Sequence, residues 1–549
     1  MKSGKPTTTM ELESVASVLG EATTLAPKIT ADTAPFISSW TQFGSCLVIL
    51  VAMITAYIVW QVIYAVYLSP LKHIPGPLSA RLSAKRGIWY VITGKAAAIA
   101  EEDYKTYGDV YLAKPNAVFL CDPQDARKVL AMGEFRKTDM YRIFEYEGVP
   151  NVSTLIDPTD ANRRRRQLHP FFSYSYLAKM ESIVQTHGYL ALKARWDSMI
   201  KAGGADHQSA TVNYRLDTQL AMFDITGALV FGREFGALET NNLDYTSWVN
   251  NTLTYMLMAH YFPILKTWPF SSLVRRLRKS YDSLVDFSKE SIAIRREFLD
   301  AGGDKPADLL QALIDSEDPD SKIRMSPREV QAESISMLVG GSESTSSVIS
   351  WVIHFLLLYP QHFRRVMNEV RQAFPADHLI THAECREHLP FLEACVYETL
   401  RCIPTASTSF PRISDRKAIT IKGHYIPPST EIVTNKCAAH IHKESWQEPY
   451  DFRPSRFIED GGEAKRNMLS FAYGTRICIG RNLAWVVMMV TLANLFKDYD
   501  VSLPEGSLFR PENVDRNGRP KIMPTKLGVA TMPAHPERDC IMVIRKRTA

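Results

Sequence analysis

The chain has 549 residues, and 46% of them are apolar, which is enough to form a large buried core. Folds with a single core reach this size, so length alone does not require several domains. Its 64 basic residues nearly balance its 59 acidic ones, and a net charge of +5 is too small to indicate a nucleic-acid partner. The 8 cysteines follow no regular framework, which argues against a disulfide scaffold and favours a reducing compartment.

The N-terminal part of the chain contains one candidate membrane span. Residues 1–45 are rich in Thr, Ser and Ala and are expected to form a flexible tail. Residues 46–67 carry no charged side chain, and a helix of about 20 apolar residues crosses a bilayer. A cleaved signal peptide is the alternative, but this segment begins too far from Met1. Basic residues follow the span, so the positive-inside rule places residues 68–549 in the cytosol as one domain.

Three features follow the span. Ile74 to Pro77 reads IPGP, which cannot continue a helix and predicts a stiff bend; a simple linker is the alternative. Residues 109–130 predict two short strands around a turn, then a helix entered through Asp122 and Pro123. Four consecutive arginines occupy positions 163–166, a pattern typical of a solvated or phosphate-binding surface.

The middle of the chain is predicted to be helical. Residues 212–300 show a helical pattern that breaks at the aromatic and proline-containing stretch 261–270. That stretch is either a core loop or, in a membrane-tethered protein, a segment that dips into lipid. Ser326 and Glu329 predict a capping box at the start of a helix that runs to about residue 359.

Two adjacent glycines, Gly340 and Gly341, interrupt this long helix. Each glycine lowers helix stability by about 1 kcal/mol relative to alanine, so a group is expected to contact the helix backbone at this point. Close packing against another helix through small residues is the alternative. Further on, Glu398 and Arg401 lie three residues apart on a helix and can pair, a weak signal because such pairs are common on surfaces. Residues 404–412 predict a turn-rich strand, and short strands and turns are expected from residue 500 onward.

The stretch from Phe471 to Gly480 reads FAYGTRICIG and carries the strongest signal in the chain. A cysteine acts as a metal ligand when it is a thiolate, which backbone N–H groups, a helix N-terminus and nearby positive charge favour. Gly474 and Gly480 permit positive φ or close approach to a flat ligand, and Arg476 supplies a cation. Residues 481–497 predict a buried helix whose positive end points back at Cys478. The other cysteines are expected to be small buried hydrophobes.

This stretch matches F-x-x-G-x-R-x-C-x-G and resembles the haem-binding loop of the cytochrome P-450 superfamily, the haem-thiolate monooxygenases. The resemblance extends from about residue 69 to residue 547, with the further motifs in order. It implies that Cys478 is the axial ligand of the iron in haem b. It also implies a mainly α fold with a small β region, preceded by one transmembrane helix.

The resemblance assigns roles to the other motifs. Gly340 and Gly341 would lie against dioxygen, and Glu343 with a hydroxyl of Ser344 or Thr345 would deliver protons; serine stands at 344 where threonine is usual. Arg165, Arg412 and Arg476 align with arginines that bind haem propionates. The family commonly has Trp or His four residues before Arg165, where this chain has Ala161, so one propionate contact is missing or comes from elsewhere, Asn162 being one candidate. A buried network of Glu398, Arg401 and Arg456 would brace the haem loop.

The implied reaction is oxidation of a lipophilic small molecule by O2, with two electrons and two protons consumed. No motif resembles a nicotinamide or flavin site, so electrons are expected from NADPH through a separate reductase, with cytochrome b5 as a further partner. The motifs look most like fungal microsomal members, which implies a single-pass endoplasmic reticulum membrane protein, in contact with membrane lipid, that tailors terpenoid or polyketide scaffolds. Two alternatives remain: a haem-thiolate isomerase or dehydratase without external electrons, and a non-catalytic haem-binding membrane protein.

Overall fold

The structure is a computed structural model that describes residues 45–93, 95–203, 208–405, 411–459, 462–527 and 530–547. It divides into two compact units, residues 1–72 and residues 73–549. The predicted N-terminal tail lies outside the described residues, apart from Ser45.

The first unit contains one long apolar helix, α1 (Ser45–Leu68), with a mean hydropathy of 2.4. Its 24 residues are sufficient to cross a bilayer. The last residues, Tyr64–Leu68, have the wider turns of a π-helix. The predicted span over residues 46–67 is therefore a helix long and apolar enough to lie in a membrane.

The second unit is mainly helical, which confirms the predicted fold class. Its first helices are α2 (Leu78–Leu82), α3 (Lys85–Ile92), α4 (Ala96–Tyr107), α5 (Pro123–Ala131), α6 (Pro158–Leu168), α7 (Tyr174–Leu177), α8 (Glu181–Val184), α9 (Ala191–Ala202), α10 (Tyr214–Phe231), α11 (Ala237–Thr240), α12 (Asp244–Tyr261) and α13 (Arg275–Asp300). The later helices are α14 (Leu309–Asp315), α15 (Pro327–Leu358), α16 (Pro360–Ala373), α17 (His382–His388), α18 (Pro390–Cys402), α19 (Lys436–Ala439), α20 (Arg456–Glu459), α21 (Glu463–Asn467), α22 (Arg481–Asp498) and α23 (Pro536–Asp539).

Short strands form the smaller β part. They are β1 (Val110–Lys114), β2 (Ala117–Leu120), β3 (Arg136–Lys137), β4 (Ser209–Asn213), β5 (Arg412–Ile413), β6 (Ile419–Ile421), β7 (His424–Ile426), β8 (Glu431–Thr434), β9 (Tyr499–Ser502), β10 (Thr525–Leu527), β11 (Thr531–Pro533) and β12 (Ile541–Lys546). The largest sheet has the order β1-β2-β8-β5-β3, and a second has the order β4-β12-β9. β6 pairs with β7, and β10 pairs with β11. Of the predicted strand at residues 404–412, Arg412 begins β5, residues 404, 405 and 411 are not in a strand, and residues 406–410 lie outside the described ranges.

The local signals in the sequence identified several element starts correctly. Ser326 Oγ accepts the N–H of Glu329 at 3.3 Å, and the Glu329 carboxylate accepts the N–H of Ser326 at 2.7 Å, so the capping box is present. Asp122 caps α5 through the N–H of Gln124 at 2.7 Å. The predicted bend also has a packing reason, because a Cβ on Gly76 would lie 2.8 Å from Leu112 Cβ.

α15 forms the centre of the helical unit. It packs against α10, α13, α18 and α22, and nearly all its residues beyond Val330 are buried. α22 is buried from Trp485 to its end, as predicted from its apolar sequence. The two adjacent glycines lie in the middle of α15, and α22 directly follows the cysteine motif. The core of the fold therefore fixes both parts of the candidate site.

The stretch between α12 and α13 is exposed, so the core-loop interpretation of residues 261–270 is wrong. Two short 3₁₀ turns, Pro263–Lys266 and Phe270–Val274, form it. The Trp268 side chain is 87% exposed and that of Leu273 is 75% exposed. Apolar side chains of this size are rarely left in water as a cluster without a partner.

Candidate active site

The Cys478 loop connects a short 3₁₀ turn to the start of α22. The turn spans Gly474–Arg476, and the N–H of Cys478 donates to the Phe471 carbonyl at 2.8 Å. α22 begins at Arg481, three residues after the thiol. The Cys478 side chain is open to the interior of the site although protein atoms surround it. The loop thus presents one sulfur at the positive end of a buried helix, as predicted.

The two glycines of this loop have different roles. Gly474 has φ +72°, and a Cβ there would lie 2.5 Å from the Leu130 carbonyl oxygen at the end of α5. Gly480 has φ −78°, so of the two predicted uses of glycine only close approach to a flat ligand remains at this position. A Cβ on Gly480 would meet Cys478 Sγ at 3.9 Å, an ordinary contact distance. Protein packing therefore requires glycine at 474 and leaves room beside the sulfur at 480.

The electrostatic environment of the thiol contains opposing effects. Burial raises the pKa of the Cys478 thiol above its usual value and outweighs the groups that favour the thiolate. The backbone N–H groups of Gly480 and Arg481 lower the same pKa. The cationic side chains of Lys436 and Arg165 lower it as well. The predicted anion-favouring groups are present, and a metal ion bound to the sulfur would supply the remaining stabilisation of the thiolate.

Three arginines expected at the haem propionates lie close together. Arg476 donates to the carbonyls of Leu155 at 3.0 Å and Ile156 at 3.3 Å. Arg165 on α6 donates to the carbonyl of Ile477 at 2.8 Å, which joins α6 to the cysteine loop. Burial and the neighbouring guanidiniums of Arg412 and Arg165 lower the pKa of Arg476 to about 10. The structure thus brings together residues that are widely separated in sequence.

A fourth cation in this cluster, Lys137, was missed in the sequence. Its ammonium donates to the Ser153 carbonyl at 2.6 Å and lies 4.7 Å from the centre of the Tyr141 ring. Burial, followed by Arg412, Arg476 and Arg165, holds the pKa of Lys137 well below its usual value. A single lysine in a two-residue strand gives no pattern that separates it from a solvated surface residue, so no sequence signal identified it.

The cation cluster, defined as Lys137, Arg165, Arg412 and Arg476, fits the anionic groups of haem. Across the described ranges, none of these four side chains has a carboxylate oxygen within 4.0 Å. Arg412 is buried, and among the described residues its Nη1 has no hydrogen-bond partner. Buried cations without counter-ions are costly, and a ligand with two carboxylates satisfies them. The residues present therefore suit the two propionates, next to a cysteine that can bind iron.

One face of α15 is accessible in the middle of the helix. Gly340 and the Ser344 side chain are accessible in the middle of an otherwise buried helix, and a Cβ on Gly340 would have no neighbour within 4 Å. Ser344 Oγ donates to the Gly340 carbonyl at 2.6 Å. Met337, one turn earlier, and Ile479, next to the cysteine, pack against the same buried cluster. This face and the cysteine loop therefore belong to one region.

The neighbouring glycine serves a different purpose. A Cβ on Gly341 would lie 3.0 Å from Thr226 Cγ2 on α10, so here the alternative of close helix packing is correct. Thr345, one turn after Gly341, is buried at 5% exposure and does not share the open face. Of the two adjacent hydroxyl residues, only Ser344 is accessible from the open region.

Glu343 is enclosed between α15 and α10. Its carboxylate forms an ion pair with Arg215, whose Nη1 donates to Ser346 Oγ at 2.8 Å. Gln219 Nε2 donates to the second carboxylate oxygen at 2.7 Å. Glu343 is 2% exposed. In this arrangement each carboxylate oxygen accepts from one side chain, Arg215 or Gln219.

The predicted Glu-Arg-Arg network is assembled and buried, so the alternative of a surface pair is wrong for Glu398 and Arg401. The Arg401 guanidinium binds both Glu398 oxygens, at 2.7 and 2.8 Å, and Arg456 Nε reaches the same carboxylate at 3.2 Å. The N–H of Arg453 donates to it at 2.7 Å. Arg401 also donates to carbonyls of His440, Pro449 and Asp451. The network fixes the segment that precedes the cysteine loop.

Comparison with known proteins gives a consistent assignment. The family model described as Cytochrome P450 matches residues 92–523. The protein named cytochrome P450 monooxygenase helB3, from Aspergillus fumigatus, is 66% identical over 91% of this chain and 98% of its own length. Cytochrome P450 monooxygenase helB1 of the same fungus is 45% identical over 97% of this chain and 91% of its own length. Cytochrome P450 monooxygenase atr2 of Stereocaulon alpinum is 28% identical over 86% of this chain and 93% of its own length.

The matched range contains the cysteine loop, the cation cluster and the open face of α15. The family implies haem with thiolate ligation, a group that the residues described above would fit. The chain belongs to the cytochrome P450 superfamily and is an enzyme of the monooxygenase class.

Proposed function

We propose that this protein is a membrane-bound monooxygenase that oxidises a lipophilic small molecule, a secondary-metabolite intermediate of terpenoid or polyketide type, with O2 and electrons from NADPH. The observation that carries the proposal is the Cys478 thiol beside an unpaired cation cluster and an open helix face bearing Ser344. When bound through the thiolate, haem would supply reductive activation of O2 for insertion of one oxygen atom into the substrate.

In this proposal Cys478 would hold the haem iron, and the cation cluster would hold the haem propionates. The accessible backbone at Gly340 leaves space for a small molecule against α15. Ser344 Oγ, which now donates to the Gly340 carbonyl, is placed to donate a hydrogen bond into that space. Serine makes the same bonds as threonine but has a less restricted rotamer, so it is expected to hold water less firmly.

Glu343 is the proposed carboxylate that moves protons from the protein exterior to the Ser344 hydroxyl. Its bonds to Arg215 and Gln219 hold it away from the open face in this structure. Proton transfer then requires the carboxylate to leave Arg215 and turn toward Ser344. This exchange between a closed and an open position gates the supply of protons and also limits the access of bulk water.

The proposed location is the endoplasmic reticulum membrane, with α1 as the single span and residues 73–549 in the cytosol. The exposed apolar stretch 262–273 supports a second contact with lipid. Arg275, Arg276, Arg278 and Lys279 follow it at the start of α13, where positive charge is unfavourable for a helix. Anionic lipid head groups beside these cations would offset that cost. Fluorophore-labelled Trp268→Cys in the full chain should be quenched by lipid-borne quenchers, and labelled Lys521→Cys should not.

The proposed electron donor is a separate NADPH-dependent reductase, with cytochrome b5 as an additional donor. A basic group lies beside the cysteine loop. Half-buried Arg127 on α5 donates to the Arg466 carbonyl at 2.7 Å and lies 5.8 Å from the centre of the Tyr473 ring. Lys128 next to it is 66% exposed at its side chain. An acidic partner surface complements this group. Arg127→Glu should slow reduction by the reductase. Lys521→Glu, the same reversal of charge at an exposed lysine, should not.

One experiment separates the three functional hypotheses. The full chain is expressed in microsomes with a reductase, and lipophilic compounds are screened for a change in haem spin state and then for products. A monooxygenase forms product only with NADPH and reductase. Product formed without NADPH indicates an isomerase or dehydratase. Haem binding with no product from any compound that shifts the spin state indicates a non-catalytic protein.

A further inference from the structure

Glu147 stands in a tight turn, in a backbone conformation that residues with a side chain rarely adopt. Tyr146 and Val149 pair as an isolated antiparallel bridge. The two residues between them have left-handed φ angles, +49° for Glu147 and +72° for Gly148. This region is unfavourable for a residue that carries a Cβ. A glutamate is therefore expected here only where its interactions offset the strain, which makes the turn a candidate for a specific role.

Every polar group of Glu147 has a partner on α13 or α15. On α13, its N–H donates to Tyr281 Oη at 2.8 Å, and its carboxylate accepts from Lys289 Nζ at 3.0 Å. On α15, the second carboxylate oxygen accepts from Gln331 Nε2 at 3.2 Å, and the main-chain carbonyl accepts from Arg328 at 3.1 Å. A single residue thus joins the turn to two helices.

The turn is the tip of a flap, defined as residues 139–149. On one side the flap follows β3, which carries a member of the cation cluster. On the other side, Asn151 and Val152 are buried; the N–H of Val152 donates to Glu333 at 2.8 Å, and Ser336 donates to Asn151 Oδ1 at 3.3 Å. Both acceptor and donor helical residues belong to α15, one to two turns before Gly340. The base of the flap is therefore fixed beside the candidate active site.

The tip is held much less firmly than the base. The side chains of Glu147 and Lys289 are 36% and 50% exposed. Water can replace hydrogen bonds at this degree of exposure, whereas the buried contacts of the base have no such substitute. The tip is consequently the part of the flap that can open while the base stays in place.

The tip lies far from the stretch that is proposed to contact lipid. That stretch ends where α13 begins, and α13 rises about 21 Å between Arg275 and Lys289. Phenol rings surround the tip: the Tyr281 ring lies 6.4 Å from that of Tyr146 and 5.6 Å from that of Tyr255. Tyrosine offers an apolar face and a polar edge, which suits a molecule that carries both an apolar scaffold and a hydroxyl group.

We propose that the flap is an exit through which the oxidised product leaves toward water, that Glu147 holds it closed, and that it is separate from the entry of substrate from lipid. Oxidation makes the product more polar than its precursor, so the product has less affinity for lipid. Opening breaks the contacts of the tip and leaves those of the base, so the haem region keeps its shape. The direction of this exit rests on the proposed function, but its test requires neither substrate nor reductase.

The test measures how fast two ligands of haem iron reach and leave the site in the haem-loaded full chain, reconstituted in phospholipid nanodiscs. Fluconazole, a water-soluble triazole with a hydroxyl group, is added from water, and lipophilic clotrimazole is added from lipid vesicles. Glu147→Gln and Lys289→Met should each speed association and dissociation of fluconazole about two- to fivefold, the scale of a partly exposed ion pair. The ratio of the two rates should stay unchanged, and clotrimazole should bind at its original rate.

Two further variants complete the test. Glu290→Gln removes an exposed ion pair with Arg233 next to Lys289 on α13, and it should change none of these rates. The double variant Glu147→Lys with Lys289→Glu restores an ion pair of reversed sign and should return fluconazole rates toward those of the original chain.

Three results would overturn the proposal. Unchanged fluconazole rates in both single variants would show that Glu147 does not hold the flap closed. Equal acceleration of both ligands would contradict an exit separate from the lipid side. A changed ratio of association to dissociation would show that Glu147 shapes the bound state and not the passage. Failure of the proposed function would appear differently, as absence of haem absorbance in the original chain, and would overturn both proposals.

Discussion

Arg215 on α10 and Glu343 on α15 form an ion pair that the two helices bury almost completely. The acid proposed to deliver protons is therefore tied to a neighbouring helix by charge. Breaking such a pair leaves one buried charge without a partner, which costs about 3–5 kcal/mol. The pair consequently links the stability of the α10–α15 interface to the proposed proton supply.

Replacement of Glu343 by Gln should retain haem and slow turnover. The amide can still accept from Arg215 but cannot carry a proton, so we expect a loss on the order of 100-fold in kcat, the scale of general acid catalysis. Turnover with a saturating substrate and the solvent isotope effect measure this loss. Glu333→Gln is the matched control, because Glu333 lies on the same helix in a buried pair with Arg164. An equal loss of kcat in both variants would show that the effect is structural.

Removal of the Ser344 hydroxyl should uncouple electron consumption from product formation more than removal of the Thr345 hydroxyl. Ser344 is accessible on the open face of α15, whereas Thr345 is buried one turn after Gly341. Hydrogen peroxide released per NADPH consumed is the measurement, in Ser344→Ala and Thr345→Ala. Equal peroxide release from the two variants would contradict the assignment of Ser344 as the hydroxyl that delivers protons.

Replacement of Gly474 by Ala should reduce the fraction of protein that carries haem. The added Cβ would lie 2.5 Å from the Leu130 carbonyl oxygen and would displace the cysteine loop from α5. Gly423→Ala is the control, because Gly423 also has positive φ (+79°) but nothing within 4 Å of its Cβ. It should cost only the backbone strain, about 1 kcal/mol. Haem content per protein and the unfolding midpoint distinguish the two; similar haem contents would contradict the packing argument.

Replacement of Arg401 by Lys should destabilise the protein by about 3–5 kcal/mol. The lysine cannot make the two-pronged contact with Glu398 and leaves carbonyls of the preceding segment without a donor. Arg136→Lys is the control: Arg136 makes the same two-pronged contact with Asp415 at the surface and should cost less than about 1 kcal/mol. Denaturant unfolding of the haem-loaded protein measures both. Equal, small losses would show that the buried network does not brace the loop.

Local patterns predicted the elements and the cysteine loop well, because their signals lie within a few residues of each other. The capping box at Ser326 and the apolar helix after Cys478 are examples. The Glu398 network also followed from its motif. Each of these features depends on short-range geometry or on a long signature.

Contacts between distant segments could not be predicted from the sequence. Nothing near Glu343 indicates that Arg215 is its partner, and nothing in β3 indicates that Lys137 will lie opposite Arg412. The separate roles of Gly340 and Gly341 depend on the position of α10, since only one of them meets Thr226. For the stretch at Trp268 the composition left a core loop and a lipid-contacting segment as alternatives, and its exposure excludes only the core loop.

The most direct test of the thiolate assignment is the absorption spectrum of the reduced, carbon-monoxide-treated protein and of its Cys478→Ser variant. The full chain, purified in detergent with its haem, should show the long-wavelength band that a thiolate opposite carbon monoxide produces. Cys478→Ser should lose that band and lose NADPH-dependent product formation. A variant that keeps both, or a folded, haem-loaded wild-type protein that never shows the band, would contradict the assignment of Cys478 as the ligand of the iron.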